Sequence, residues 1–285
     1  VYFLGSLFSR ENKKIIRNIF IFYAGALLLA IAGGLVMASG EEAGGLLFVF
    51  SPLVMVLIVR FLLGDGWKDA GLRLNFKKHW GWYLFALLFY PLVFPIVIAI
   101  NVLLGFTTVT MTVSEFLPLL LAAFAVQLLP RMLFALSEEW GWRGYMEPRF
   151  ALLGVPDIRR HLLVGVLWGL WHFPLIFSTD YTTIPYLIFL PLFMISIIFL
   201  AIIFGQMREA GDSVWPPVLM HGMGNALGFA LLEGNFITFN NELLGNIVPG
   251  CITITLMYGL IAVLILRRRH LYQLPEGEET AVTPS

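Results

Sequence analysis

The residues best suited to chemistry in this sequence are polar side chains inside long apolar stretches: Glu138, Glu139, His172, His221 and Asn225. An ionisable group in a membrane-spanning stretch costs several kcal/mol unless it is paired or hydrated. A carboxylate, two imidazoles and an amide that converge on one place could hydrolyse an amide bond with an activated water. These residue types therefore predict a hydrolytic site, provided that the chain brings them together.

The two glutamates are expected to have different roles. Neighbouring helix positions point about 100° apart, so Glu138 and Glu139 cannot face the same target. Glu139 and Arg143 are four residues apart and are expected to pair along one helix face, which leaves Glu138 to face a site. The alternative is a solvated helix end, where charged pairs are common. The adjacent Trp140 and Trp142 also fit an interfacial belt.

Each histidine has a helical neighbour of interest. His172 follows Trp168 by one turn, and His221 precedes Asn225 by one turn, so each pair shares a helix face. His172 could instead be a packing residue hydrogen-bonded to a neighbouring helix. The segment from His221 to Asn225, with two glycines, could likewise be a close-packed seam between helices.

The composition indicates that membrane-spanning helices carry these residues. The chain is 59% hydrophobic and 13% charged, whereas about a quarter of the residues of a soluble domain are charged. Apolar stretches long enough to cross a bilayer, which takes roughly 20 residues each, cover residues 15–38, 44–63, 82–104, 116–137, 161–178, 184–205, 214–232 and 246–266. The sequence predicts an all-α polytopic membrane protein with eight transmembrane helices.

The basic residues predict the orientation of the chain. All 18 lysines and arginines except Arg131 lie at the chain ends or in alternate connections, and the other connections carry only acids. Because lysine and arginine are retained on the cytoplasmic side, both termini are predicted to be cytoplasmic. Residues 1–274 form one predicted domain, and the polar segment 275–285 is predicted to be disordered. Arg131 is expected to pair with a glutamate or extend to the outer surface, outside the site.

The positions along the helices place the polar residues at one level. At 1.5 Å per residue, His172 and His221 lie roughly 16 and 11 Å from the predicted cytoplasmic ends of their helices. Glu138 lies roughly 12 Å inside its own helix end if the fourth helix continues past Gly141 to about residue 146. Together with Asn225 they are predicted to line one cavity open to the cytoplasm. Such a group suits hydrolysis better than packing.

The motifs resemble a known family. Glu-Glu-x-x-x-Arg at 138–143, aromatic-x-x-x-His at 168–172 and His-x-x-x-Asn at 221–225 are similar to the three motifs of the CAAX-protease and bacteriocin-processing family. These intramembrane proteases, also called the Abi family, include the type II CAAX prenyl endopeptidases. The resemblance covers about residues 116–232, with the motifs on the fourth, fifth and seventh of eight helices. Trp168 stands where many members have Phe, so we expect a slightly altered pocket wall.

The resemblance implies peptide hydrolysis in the membrane. Glu138 would be the general base, and His221 and Asn225 would stabilise the oxyanion. His172 would orient the water or protonate the leaving amine. The positions around them, Glu139, Arg143 and Trp168, would hold the site together.

A zinc-dependent version stays open beside the metal-free one. Zinc commonly takes three protein ligands and a water, and Glu138, His172 and His221 would supply them. Members of the family are often called metalloproteases, although a metal-free glutamate mechanism is also proposed for them.

The expected partners are the lipid bilayer and a membrane-associated peptide or protein. The CAAX label is not carried over as a substrate, because bacterial members do not generally act on prenylated substrates. No basic aromatic patch suggests a nucleic-acid partner, so none is expected. The expected location is the cytoplasmic membrane of a prokaryote.

Other functions remain to be weighed against a protease. A non-catalytic scaffold or immunity protein on the same fold is the main alternative. A transporter would be favoured by inverted repeats or paired broken helices, and the sequence has neither. It also lacks His-Glu-x-x-His, Gly-x-Ser-x-Gly and Gly-x-Gly-Asp motifs, which other intramembrane or hydrolytic proteases use.

Overall fold

The computed structural model describes residues 9–234 and 236–273, and nearly all of them are helical. The predicted disordered segment 275–285 lies outside the described residues. The helices are α1 Arg10–Ala38, α2 Ala43–Leu57, α3 Phe76–Leu103, α4 Val113–Gly141, α5 Glu147–Leu152, α6 Asp157–Trp171, α7 Phe173–Ser178, α8 Tyr186–Gly211, α9 Trp215–Glu233, α10 Glu242–Gly245 and α11 Ile252–Gln273.

Six helical segments of the described chain are long and apolar enough to cross a membrane: Arg10–Ala38, Ala43–Leu62, Phe76–Leu103, Val113–Leu152, Asp157–Ser178 and Tyr186–Gly211. They coincide with the first six predicted stretches. The last two stretches also fold as helices, α9 and α11, but these are not among the six. The eight-span count and the orientation of the termini therefore stay predictions.

The chain also contains two short strands, β1 Thr107–Val109 and β2 Ile237–Phe239. They pair antiparallel, with Thr107 opposite Phe239, and connect the segment after α3 to the segment after α9. The prediction of a purely helical fold missed them. Their residues favour strands, but three residues are too few to show a period.

Two helices end in a wider π-helical turn: Ile58–Leu62 after α2 and Trp142–Met146 after α4. Such turns are rare and often occur at functional sites. The second turn joins α4 to α5, so the fourth segment runs to Leu152, well beyond the predicted boundary at residue 137. The longer helix places the glutamate pair inside the bundle rather than at its edge.

A polar cluster in the connection between α2 and α3 closes the bundle at the side of the chain ends. The Asp65 carboxylate accepts hydrogen bonds from Asn18 Nδ2 and Tyr145 Oη, each at 2.8 Å. Arg149 Nη2 donates to the Asp65 carbonyl at 2.9 Å and to Asp69 Oδ1 at 3.1 Å. This network holds the connection against the π-helical turn and α5.

Helices α1 and α2 pack with almost no space between their backbones. A Cβ on Gly44 would lie 2.3 Å from the Gly33 carbonyl oxygen and 2.6 Å from the Met37 nitrogen. Small residues allow membrane helices to approach this closely. The contact matters for the site because Phe48, one turn after Gly44, lines its cavity.

We predict that Gly44→Ala lowers the free energy of unfolding by about 1–3 kcal/mol, because backbone atoms cannot yield to the new methyl group. Gly45→Ala is the matched control, since its Cβ would meet only Met37 Sδ at 3.8 Å. Thermal unfolding in detergent measures both. Equal midpoints for the two variants would contradict this account of the packing.

Candidate functional site

The structure brings the four predicted catalytic residues into the wall of one cavity. Glu138 from α4, His172 after α6, and His221 and Asn225 from α9 all line a cavity of about 560 Å³. Residues far apart in sequence meet because α9 packs against α4 while α6 packs against α8. The structure therefore brings together residues whose proximity the sequence could only predict.

Glu138 is buried, with 5% of its surface exposed. Its Oε2 accepts a hydrogen bond from Trp168 Nε1 at 2.8 Å. Its Oε1 lies 3.9 Å from His221 Nε2, too far for a direct hydrogen bond. One carboxylate oxygen is therefore held by the indole, and the other faces the imidazole across a short gap.

His221 is oriented by the second glutamate. Its Nδ1 lies 2.8 Å from Glu139 Oε1. Because a carboxylate only accepts hydrogen bonds, we assign the Nδ1 proton to this contact, which leaves Nε2 directed at Glu138. The ring also stacks on Phe204, with centroids 5.6 Å apart and planes at 15°. Both contacts fix the imidazole at the cavity wall.

Glu139 and Arg143 form the ion pair that their spacing predicts. Arg143 Nη1 lies 3.1 Å from Glu139 Oε1, and both side chains are fully buried. The guanidinium lies over the rings of Trp168 and Phe204, at 4.3 and 4.9 Å from their centroids. The alternative of a solvated helix end is therefore wrong, because the π-helical turn after Gly141 continues inside the protein.

His172 lies where α6 ends, and its Nδ1 contacts the Trp168 carbonyl oxygen at 2.8 Å. A carbonyl only accepts, so Nδ1 donates here and Nε2 is left without the proton in the neutral ring. Trp171 and Phe193 flank the imidazole, with centroids 4.9 and 5.4 Å away. The packing alternative placed the hydrogen bond on a neighbouring helix, whereas the structure places it within the same turn.

Asn225 lines the cavity one turn from His221 and is partly exposed to it. Within the described chain no hydrogen bond holds its amide. The glycines of this segment do form the seam considered above, since a Cβ on Gly224 would lie 2.2 Å from the Tyr90 ring and one on Gly222 2.3 Å from Met132 Sδ. The helix therefore packs through its glycines and presents its polar residues to the cavity.

Arg131 was predicted to lie outside the site, but the structure places it in the cavity wall. Its Nε donates to Gln127 Oε1 at 3.1 Å, and its guanidinium lies 3.4 Å from the Phe229 ring centroid. Its position two turns before Glu138 on the same helix was the available signal. The aromatic wall residues Tyr90 and Phe204 carried no comparable signal, because apolar stretches are full of such side chains.

The exposed part of the cavity wall lies away from the chain ends. Its exposed lining residues include Glu42, Leu46 and Phe229, which lie near the connections opposite the start of α1 and the end of α11. Towards the chain ends, Trp142 and Tyr145 in the turn after α4 are fully buried. The predicted opening to the compartment of the termini therefore stays a prediction. Depth along a helix does not reveal which end is sealed.

Comparison with known proteins shows that the segment carrying the site is similar to one family. Residues 119–227 match the family model described as type II CAAX prenyl endopeptidase, Rce1-like. A protein of Methanococcus maripaludis named CAAX prenyl protease 2 is 42% identical over 53 residues, which cover 17% of this chain and 18% of that protein. The resemblance to the CAAX-protease family is confirmed. With its six long apolar helices, the chain is an integral membrane protein.

The segment matched to the CAAX-protease family contains every residue predicted to form or support the site. It also contains Arg131 and most of the cavity wall on α4, α8 and α9. The first three long helices lie outside the match, although α2 and α3 contribute Phe48 and Tyr90 to the wall. The cavity is therefore shaped partly by helices that lie outside the matched segment.

The predicted zinc ligands are not arranged as a zinc centre. Among the described residues, no three histidine, cysteine, aspartate or glutamate side chains are grouped closely enough to hold a metal ion. Of the predicted ligands, Glu138 and His221 have their nearest atoms 3.9 Å apart, and one oxygen of Glu138 is already bound to Trp168. The donor set does not fit a metal in this arrangement, so the catalytic roles are assigned to the side chains alone.

We predict that Arg143→Gln destabilises the fold by about 3–5 kcal/mol, because the buried Glu139 carboxylate then loses its cation. Adding Glu139→Gln should recover part of this loss, with a coupling of about 0.5–3 kcal/mol in a double-mutant cycle. Unfolding of the four proteins in detergent measures the cycle. Strictly additive effects would contradict a direct buried ion pair.

Proposed function

We propose that this protein is an intramembrane endopeptidase that hydrolyses a peptide bond of a membrane-associated peptide or protein. The observation that carries the proposal is the convergence of Glu138, His172, His221 and Asn225 on one cavity. The confirmed family resemblance over residues 119–227 supports the same class of reaction. The substrate itself is identified only by its chemistry, an amide bond that can reach the cavity.

Glu138 is the proposed general base. A water between Glu138 Oε1 and His221 Nε2, which lie 3.9 Å apart, could hydrogen-bond to both atoms at ordinary distances. The carboxylate would take its proton as the oxygen attacks the substrate carbonyl carbon. The Trp168 hydrogen bond at 2.8 Å keeps the carboxylate in one orientation, so the attacking water approaches from a fixed direction.

His221 and Asn225 are the proposed oxyanion donors. Both line the cavity from one face of α9, and preorganised donors of this kind stabilise a transition state by about 3–4 kcal/mol. Donation to the oxyanion requires a proton on His221 Nε2 as well as on Nδ1. The resulting positive charge, together with Arg143, would balance the carboxylates of Glu138 and Glu139, and buried charges are tolerated when they are matched.

His172 is the proposed donor to the leaving amine. Its Nδ1 donates to the Trp168 carbonyl, so Nε2 would take the proton that Glu138 removed from the water and pass it to the leaving nitrogen as the C–N bond breaks. Because His172 and Trp168 share one turn, the same residue positions both the base and this imidazole. A change at Trp168 should therefore affect two catalytic groups at once.

The lipid bilayer is the proposed route to the site. Leu46 and Phe229, which line the cavity, are 53% and 39% exposed, so an apolar segment could reach Glu138 without crossing water. The basic residues support termini on the cytoplasmic side of a prokaryotic membrane with eight spans. In that orientation the open part of the cavity faces the other half of the bilayer.

We predict that Glu138→Gln lowers the rate of cleavage about 10²–10⁴-fold, because the amide cannot accept a proton. Cleavage of candidate membrane peptides, followed by mass spectrometry, measures the rate. Glu11→Gln, an exposed glutamate in the first turn of α1, is the matched control and should keep full activity.

The same variant separates an enzyme from a scaffold. An enzyme loses turnover on Glu138→Gln while its unfolding midpoint and its affinity for the peptide are kept. A scaffold keeps its cellular phenotype and its partner binding with this substitution. Unchanged cleavage by a folded Glu138→Gln protein would overturn the proposed role of this residue.

We predict that cleavage survives treatment with a metal chelator, because no group of three metal-binding side chains is assembled among the residues that the structure describes. Activity and metal content should be measured on the same chelated sample. Loss of activity that added zinc restores would contradict the metal-free mechanism and favour ligation by Glu138, His172 and His221. The Glu11→Gln protein, treated in parallel, controls for damage by the chelator.

A further inference from the structure

A second cavity, of about 720 Å³, lies at the opposite end of the bundle from the opening of the first. It is enclosed by the beginning of α3 and the ends of α8 and α11. It shares no lining residue with the catalytic cavity. The proposed peptidase mechanism makes no use of it.

The polar part of this cavity is mainly basic. Lys78, His79 and Arg268 line it, and the first and last of these are exposed. The acid in its wall, Glu209, has its Oε1 in a hydrogen-bonded ion pair with Arg160. The negative charge is thus largely offset by a residue outside the cavity, and the wall attracts anions.

The deeper part of the cavity is apolar. Trp82, Phe85 and Ile265 line it, and Trp82 and Phe85 pack edge to face with centroids 5.7 Å apart. These residues lie one to two turns further into their helices than the basic ones. The cavity therefore presents cations at the end of the bundle and hydrocarbon below them, in the order of a phospholipid.

A side-chain contact to the backbone fixes two of the cavity's walls relative to each other. Asn75, in the left-handed conformation with φ of 49°, donates from Nδ2 to the Asp212 carbonyl at 2.9 Å. This contact ties the start of α3 to the end of α8. The backbone of α3 bends at His79, where φ is −126° and ψ is 26°. The cavity is thus a built feature between anchored helices.

We propose that this cavity binds the headgroup of an anionic phospholipid. Basic pockets between transmembrane helices bind such headgroups on the side that carries the lysines and arginines, and this cavity lies on that side of the chain. The acyl chain would contact Trp82, Phe85 and Ile265. A soluble phosphate would use only the basic rim and would leave the apolar wall in water, so the lipid accounts for both parts.

Lipid binding by the full-length protein tests the proposal. The protein in detergent is titrated with phosphatidylglycerol or phosphatidylcholine, and bound lipid is counted by native mass spectrometry. The double variant Lys78→Gln/Arg268→Gln should bind phosphatidylglycerol about 25-fold more weakly, since each charge contributes about fivefold. The matched control Lys68→Gln/Arg73→Gln removes two exposed charges from the connection between α2 and α3 and should bind like wild type.

A second measurement locates the acyl chain. Phosphatidylglycerol with brominated chains should quench a component of the tryptophan fluorescence that Trp82→Phe removes. If the double variant does not fold, the single variant Lys78→Gln supplies the affinity test, with an expected loss of about fivefold.

Three outcomes would overturn the proposal. They are equal affinity for phosphatidylglycerol and phosphatidylcholine, equal weakening by the control variant, or displacement of the lipid by inorganic phosphate at similar concentration. The last outcome would identify a phosphate site rather than a lipid site.

Discussion

The site depends on the contacts of the Glu139 carboxylate. One of its oxygens receives both Arg143 and His221, so a single buried charge joins the π-helical turn after α4 to α9. Removing such a charge from water is costly unless every partner is present. The helices that carry the base and the oxyanion donors are therefore held in register by a residue whose side chain is fully buried.

Trp168 extends this network to α6. Its indole binds Glu138, its carbonyl binds His172, and its ring lies under the Arg143 guanidinium. The side chains of the site are thus positioned by other side chains rather than by loops. A site of this kind tolerates an apolar, irregular cavity around it, because its geometry is set by short hydrogen bonds and ring contacts close to the reacting groups.

The two cavities differ in chemistry and in their position along the bundle. One holds paired charges deep in the bundle and opens beside apolar residues on the half away from the chain ends. The other cavity is basic at the end of the bundle and apolar further inside. Both lie between helices whose ends are tied by polar contacts of the connections, notably those of Asp65 and Asn75. The connections therefore shape the sites although they contribute few residues to them.

The sequence alone determined the helical, membrane-embedded character of the chain and the pairing of Glu139 with Arg143. These are local properties, since apolar length and four-residue spacing act within one helix. It also singled out Glu138, His172, His221 and Asn225, because polar groups in apolar stretches need a reason. Tertiary structure alone decided that these residues share a cavity, that Arg131 belongs to its wall, and that the exposed part of this wall lies away from the termini. Such features depend on how separate helices pack and which ends their connections cover, and no spacing within one helix encodes them.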